Sequence, residues 1–249
     1  MIEFNIFHLL IFFLLVALQT IVGVGILVLG TPILLILNYN IIEVISILLP
    51  ISILTSLTNL IYFKLINKIS IFKFGNQIKK SFFLICIPSI VLGIIILKYF
   101  NEIINFKVMV SILIFLSLIL RKYYKNNLVK LSTIKQKIIL FIIGLVHGVS
   151  NSGGALLSMF VLNVNNNNKN RTRYNLTFFY FFLAFLQYII FMFIFKKTIS
   201  LIIIINLIFV IFIGILFGNY LVRFIENNKF NFLIEILTLF SAIFLIINS

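Results

Sequence analysis

The chain has 249 residues, of which 63% are hydrophobic and 10% are charged, and its mean hydropathy is +1.26. A soluble domain carries roughly 25% charged residues, so this composition excludes a soluble globular fold and predicts an all-α polytopic membrane protein. The net charge of +15 does not predict nucleic-acid binding, because the basic residues cluster in short loops where they contact lipid headgroups.

Apolar runs follow one another along the whole chain, and each predicts one membrane-embedded element. The first charge is Glu3 and no A-x-A-like cleavage site follows, so Met1 to Leu18 are expected to stay in the mature protein. In chain order the predicted elements are 4–22, 24–38, 41–63, 81–98, 103–121, 138–149, 153–163, 174–195, 199–222 and 230–248.

The first two elements read as one apolar stretch with an interruption in its middle. As a single helix, residues 4–37 would be about 51 Å long, whereas the hydrocarbon core is about 30 Å thick. Glycine and proline interrupt the stretch at Gly23-Val24-Gly25 and at Gly30-Thr31-Pro32. This pattern predicts a broken helix or a re-entrant hairpin, of the kind that forms binding sites in transporters.

The second half repeats this layout. Its first stretch carries Gly144, Gly148 and then Asn151-Ser152-Gly153-Gly154. A shift of 125 residues places Gly23 on Gly148 and Gly93 on Gly218, which predicts an internal duplication. The expected organisation is a first repeat over 1–121, a basic cytoplasmic linker over 122–137 and a second repeat over 138–249.

Loop charge indicates how the two repeats are threaded. If each broken element enters and leaves on one face, that face collects 16 Lys and Arg residues and the other only four. If each element crosses once, the division is 13 against seven. The positive-inside rule favours the first arrangement. It predicts a multi-pass protein with inverted repeats and with both termini outside.

The sequence offers no set of residues for enzyme chemistry. All five carboxylates are glutamates, and they form neither paired catalytic acids nor a metal-ligand motif with His8 or His147. Cys86 stands alone, which excludes a disulfide. No phosphate-binding loop occurs, so ATP-driven pumping by this chain is not expected. We expect no enzyme activity, no cofactor and no metal.

The polar residues that could bind a solute surround the two interruptions. Backbone N–H groups at the start of a half-helix suit an anion, and a cation would find no cluster of intramembrane carboxylates. An anion is therefore the preferred solute, although glycine and serine also serve helix packing. The candidate substrate-binding residues are Gln19, Thr20, Gly23, Gly25, Gly30, Thr31, Pro32, His147, Gly148, Ser150, Asn151, Ser152, Gly153 and Gly154.

Other polar residues receive simpler interpretations. His147 is either a hydrogen-bonded interior residue or a proton relay. Gln187 and Asn59 are interpreted as interhelical hydrogen-bonding groups rather than site residues. Arg171 and Arg173 follow an asparagine run and are interpreted as cytoplasmic loop charges, with a role in attracting the solute as the alternative.

At the two interruptions the sequence resembles the TauE/SafE family of sulfite and sulfonate-related exporters. The similar residues are 23–32 in the first half, and 144–149 followed by Ser152-Gly153-Gly154 in the second. The first signature has fewer glycines than the family pattern, and Leu157 stands where the second half would repeat Pro32. The resemblance implies transport of sulfite, an organosulfonate or a related small anion across the inner (cytoplasmic) membrane, with the lipid bilayer and that anion as partners.

Other hypotheses remain open at this point. The main alternative is a non-transporting membrane assembly or insertion factor. An intramembrane enzyme is a third, without a nucleophile–base pair to support it. Substrate, direction, coupling ion and any homo-oligomer are left undetermined by the sequence.

Overall fold

A computed structural model describes residues 5–65, 76–124, 133–164, 169–196 and 201–226, with residues 229, 230, 232, 236, 239, 240, 243, 246 and 247. The described part is helical and contains no strand. Its helices are α1 Ile6–Val22, α2 Ile26–Ile36, α3 Ile41–Leu65, α4 Asn76–Phe100, α5 Phe106–Tyr124, α6 Thr133–Ser150, α7 Gly153–Val164, α8 Lys169–Phe195 and α9 Leu201–Leu221, followed by a 3-10 turn at Val222–Phe224.

Polar residues in the connections set several helix starts. The Asn5 side chain accepts a hydrogen bond from His8 N at 3.1 Å and caps α1. Asn40 and Glu43 form a reciprocal pair at the start of α3, with Asn40 N donating to Glu43 Oε2 and Glu43 N donating to Asn40 Oδ1. Asn105 Oδ1 accepts from the first turn of α5.

Each of the first nine predicted elements corresponds to a helix. Within the described residues, four helices are long and apolar enough to cross a membrane: Ile41–Leu65, Lys80–Phe100, Lys169–Phe195 and Leu207–Phe224. The predicted all-α membrane protein is confirmed. Three helices, α4, α6 and α8, begin five residues earlier than their apolar runs. The five added residues of each helix are mostly basic or polar, so they can continue a helix but do not extend the apolar run that was used for prediction.

Small residues allow the closest helix contacts. α1 packs mainly on α9, α6 on α4, and α3 on α8. A Cβ on Gly93 in α4 would lie 2.5 Å from Leu145 O in α6, and a Cβ on Gly218 in α9 would lie 2.7 Å from Ala17 O in α1. Both distances are below van der Waals contact, so these glycines are required for backbone packing between membrane helices.

Candidate functional site

The first break, Gly23–Gly25, separates α1 from α2. Gly23 adopts φ +90, and its N–H bonds Gln19 O at 2.7 Å, which ends α1 with a left-handed residue. Beyond the break the chain turns back along α1. Tyr39 Oη, just after α2, lies 2.9 Å from His8 Nε2 at the start of α1. The two helices therefore run antiparallel as a hairpin, with the start of α1 in contact with the residues that follow α2.

The second break, Asn151–Ser152, separates α6 from α7. Asn151 has φ +61, and its N–H bonds His147 O at 3.0 Å. A Cβ on Gly153 would lie 2.5 Å from Ile143 O, ten residues earlier, so α7 begins by folding back against α6. The left-handed residue is thus glycine at the first break and asparagine at the second. Asparagine is the side chain that most readily replaces glycine in this conformation.

At the breaks, the separation between equivalent residues of the two halves differs from the 125 residues predicted from the sequence. Gly148 lies inside α6, three residues before the break, so it does not correspond to Gly23 in local structure. A Cβ on Gly148 would lie 2.5 Å from Ile90 O, which shows that close packing on α4 requires this glycine. The 125-residue shift holds for Gly93 and Gly218, which both line close helix contacts, but the break residues Gly23 and Asn151 lie 128 residues apart.

Protein side chains occupy the N-terminus of α2. Ile26 N donates to Gln19 Oε1 and Leu27 N donates to Tyr180 Oη, both at 3.1 Å. The Gln19 amide is held in turn by α3, since its Nε2 donates to Ser56 Oγ at 3.0 Å. The expectation that free N–H groups at the first break receive an anion therefore does not describe this conformation. An anion would bind here only by displacing Gln19 or Tyr180.

The second break is buried and incompletely hydrogen-bonded. His147 and Asn151 are both 0% exposed. Neither ring nitrogen of His147 and neither amide atom of Asn151 has a hydrogen-bond partner among the described residues, and Gln187 Oε1 is in the same condition. Ser150 and Ser152 bond each other at 2.6 Å instead. An unsatisfied buried polar group costs about 1–3 kcal/mol, so this cluster is costly unless a ligand or water completes it.

One face of α8 connects the two breaks. Arg173, Tyr180 and Gln187 are spaced by seven residues, which places them in a row about 21 Å long. The Arg173 guanidinium donates to Thr20 O at the end of α1, with Nη2 at 2.6 Å. Gln187 Nε2 donates to His147 O at 2.9 Å. Between them, the Tyr180 ring contacts His147 with centroids 6.1 Å apart, while its hydroxyl bonds the start of α2.

A second polar row on α3 faces the first break. Ser52, Ser56 and Asn59 are buried on this helix. The two serines contact Gln19, whereas Asn59 Nδ2 donates to Thr20 Oγ1 at 3.0 Å and Asn59 Oδ1 accepts from Asn219. The interpretation of Asn59 and Gln187 as interhelical hydrogen-bonding groups is confirmed.

The interpretation of Arg173 as a loop charge is wrong. Arg173 lies in the second turn of α8 and is 2% exposed, whereas Arg171 is exposed. Arg173 was assigned to a loop because it precedes the apolar run of α8. In the structure its guanidinium turns inward and bonds the end of α1. Tyr180 was also missed, since a tyrosine in an aromatic run carries no local signal. The seven-residue spacing of Arg173, Tyr180 and Gln187 was the signal available in the sequence.

The remaining candidates divide between the two breaks and the body of α2. A Cβ on Gly154 would lie 2.4 Å from the Tyr180 ring and 3.0 Å from Val28 Cγ2, so the start of α7 adjoins the start of α2. Gly30, Thr31 and Pro32 lie further along α2; a Cβ on Gly30 would meet the Leu48 side chain at 3.0 Å. The structure therefore brings the two breaks together. Gly30 packs against α3, whereas the buried Thr31 hydroxyl has no hydrogen-bond partner among the described residues.

The described part of the chain, with four helices of membrane-spanning length and apolar composition, is that of a multi-spanning helical membrane protein. The chain matches the family described as Sulfite exporter TauE/SafE over residues 8–245, nearly its whole length. It belongs to this family of membrane transporters, and the resemblance drawn from the two interruptions is confirmed. No curated protein and no solved structure matches the chain.

Proposed function

We propose that the protein moves sulfite, an organosulfonate or a related small anion across the cytoplasmic membrane. Family membership supports the coarse function, since the family is one of membrane exporters of sulfite. The solute would be held between the two breaks, with Asn151, Ser150, Ser152 and His147 as its main neutral contacts. Neutral donors can bind an anion without holding it too tightly for release.

The observation that carries this proposal is the incomplete hydrogen bonding at the second break. His147 and Asn151 are fully buried, yet four of their polar side-chain atoms have no partner in the described part of the chain. A structural role would be expected to pair these atoms. Polar groups inside a membrane bundle are costly and commonly face a cavity or a solute pathway, so this group of four atoms supports a binding role for the second break.

The first break supplies the mobile half of the proposed site. Tyr180 and Gln19 now take the N–H groups of Leu27 and Ile26, which are the groups that an anion would use at a helix N-terminus. Release of the Tyr180 hydroxyl would open α2 toward Gly154 and the second break. The present arrangement is thus a closed conformation of the proposed pathway.

We also infer that the two halves are inverted repeats. Three pairs at the breaks share a separation of 128 residues: Gly23 with Asn151, Gly25 with Gly153, and Gln19 with His147. In both halves the glycine packs on the partner residue, since a Cβ on Gly25 would lie 2.9 Å from Gln19 N and one on Gly153 would lie 2.6 Å from His147 Cβ. The helix packing follows the same symmetry. α1 of the first half packs on α9 of the second half, and α6 of the second half packs on α4 of the first half.

With Arg173 buried inside α8 and no longer counted as a loop charge, the proposed topology places 15 Lys and Arg residues on one face and four on the other. The antiparallel hairpin of α1 and α2 supports it, because each broken element must return to the face from which it entered. The linker 122–137 lies only partly within the described chain, since α5 reaches Tyr124 and α6 starts at Thr133. Cysteine labelling at Lys130 and at Ser249 would report on the two faces, but both residues lie outside the described part of the chain.

The test uses a pair of asparagines with the same backbone conformation. Asn151 has φ +61 and Asn38, at the far end of the first hairpin, has φ +64. Asn151→Gly and Asn38→Gly both preserve a left-handed backbone, but only the first removes a buried, unpaired amide. In proteoliposomes, Asn151→Gly is expected to lose most sulfite flux at an unchanged or raised melting temperature, because removing an unsatisfied group is not costly.

The matched control is Asn38→Gly, which should transport sulfite as the parent does. Full flux in Asn151→Gly would refute the site. No flux of sulfite or methanesulfonate in the parent would refute the function itself, and capture of membrane-protein substrates instead would favour the assembly-factor alternative.

A further inference from the structure

We propose that Arg173 is the charge-selecting residue of the pathway: it supplies the positive charge that an anionic solute meets at the tip of the first hairpin. This inference rests on the proposed anion transport. It assigns the attraction of the anion to one buried side chain, rather than to helix N-termini or to the basic loops.

Arg173 is the only formally charged side chain among the buried residues of the described chain. Its partners there are all neutral. Nε and Nη2 donate to Thr20 O at 3.3 and 2.6 Å, Nη2 donates to Asn219 Oδ1 at 3.1 Å, and the guanidinium carbon lies 5.0 Å from the centre of the Phe63 ring.

No described carboxylate neutralises this charge. Glu43 caps α3, Glu102 is exposed, and Glu226 pairs with Lys229 at 3.5 Å. The C-terminal end of α1 offers a partial negative charge, equivalent to about half an elementary charge. This partial charge neutralises only part of the guanidinium charge, so a positive potential remains in a medium of low dielectric constant. A small anion bound beside Arg173 would neutralise the remainder.

The position of Arg173 suits the first contact with a solute. It lies one turn inside Lys169 on α8, about 6 Å deeper, at the end that the proposed topology places in the cytoplasm. The backbone of Arg173 also touches the break, since a Cβ on Gly23 would lie 3.1 Å from Arg173 O. An anion bound to the guanidinium would therefore compete with Thr20 O and loosen the tip of the first hairpin.

The first half has no equivalent cation. Residues 128 and 125 positions before Arg173 are Ile45 and Leu48, both buried and apolar. The positive charge of Arg173 therefore has no counterpart in the first half, and the proposed pathway carries it at one end only. An anion would meet a cation near one face and only neutral groups at the second break.

A simple structural role is the competing interpretation, because Arg173 also caps α1. The variants Arg173→Gln and Arg173→Lys separate the two. Glutamine keeps an N–H donor for Thr20 O but removes the charge, whereas lysine keeps the charge and loses the planar fork. Arg171→Gln removes an exposed charge two residues away, and Lys169→Gln removes a cation that also bonds backbone carbonyls, those of Val222 and Ile225.

Two anions are used as probes at alkaline pH: sulfite as the dianion and methanesulfonate as the monoanion. Flux in proteoliposomes gives KM, and melting followed by circular dichroism gives binding. In Arg173→Gln we expect the KM for sulfite to rise about tenfold to hundredfold, the range for loss of a charged hydrogen-bond partner, with a smaller rise for methanesulfonate. Arg173→Lys should recover much of the sulfite affinity, and both control variants should stay within twofold of the parent.

An Arg173→Gln protein that melts earlier but keeps the parental KM for both anions would show that Arg173 is only a helix cap. The two proposals fail in different ways. A parent that binds sulfite through Arg173 but moves none would refute transport alone. A parent whose melting temperature responds to neither anion would refute the assignment of Arg173.

Discussion

Replacement of Tyr180 by phenylalanine tests how the two halves are coupled at the breaks. Tyr180 is fully buried, and its hydroxyl oxygen accepts the N–H of Leu27 at 3.1 Å. Phenylalanine keeps the ring that packs on Gly154 and on the His147 imidazole, so the change removes one oxygen atom and little else. The backbone N–H of Leu27 then has no acceptor in a buried position.

The expected cost is the desolvation penalty of one unsatisfied donor, about 1–3 kcal/mol. For a chain of this size each kcal/mol lowers the melting temperature by about 2–4 °C, so a fall of several degrees is expected. Tyr188→Phe provides the control, because Tyr188 is only half-buried on the same helix. Its loss of a hydroxyl should change the melting temperature by less than about 1 °C, as for surface substitutions that break no buried contact.

The single cysteine provides the assay. Cys86 is buried between α4 and α6, with its thiol 3.3 Å from Leu140 O. A thiol-reactive fluorogenic dye therefore reports unfolding of the detergent-solubilised protein through one site. The second measurement repeats the melts by circular dichroism with and without sulfite.

Sulfite should stabilise Tyr180→Phe more than it stabilises the parent, because an anion can accept the vacated N–H at the start of α2. An unchanged melting temperature would show that the hydroxyl contributes nothing to the closed conformation. A sulfite response equal to that of the parent would show that α2 is not an anion-binding helix, whatever the stability change.

Three further predictions concern the glycines, the histidine and the topology. Gly25→Leu and Gly153→Leu should destabilise the protein as well as stop transport, since a Cβ at these positions would lie 2.9 Å from Gln19 N and 2.5 Å from Ile143 O; a normal melting temperature in either would contradict the packing seen here. His147→Gln should retain sulfite binding but lose acceleration of flux by a pH gradient if His147 carries a proton, and an undiminished gradient effect would identify His147 as structural. In a Cys86→Ala background, a cysteine at Asn101 should label from outside intact cells and one at Lys64 should not, as the charge division requires; the reverse pattern would overturn the proposed topology.

Much of the architecture could be read from local sequence properties. Long apolar runs predict membrane helices, because a segment in the hydrocarbon core must satisfy its own backbone hydrogen bonds and expose apolar side chains. The interruptions at Gly23 and Asn151 coincide with helix ends. Helix starts were placed too late in α4, α6 and α8, since amphipathic first turns lie outside the hydrocarbon core. Helix ends fall at Gly23 and Asn151, within the two interruptions, whereas Gly148, which was grouped with the second interruption, lies inside α6.

The sequence by itself determined the class of protein and the approximate positions of the nine helices in the described part of the chain, because these depend on hydropathy and on backbone preferences that act over a few residues. Tertiary structure alone decided which polar groups are satisfied. Gln19 and Tyr180 close the first break and Arg173 turns inward to Thr20, whereas His147 and Asn151 remain unpaired. Such pairings join residues up to 153 positions apart, and only the packing of α8 against both hairpins brings them within hydrogen-bonding distance.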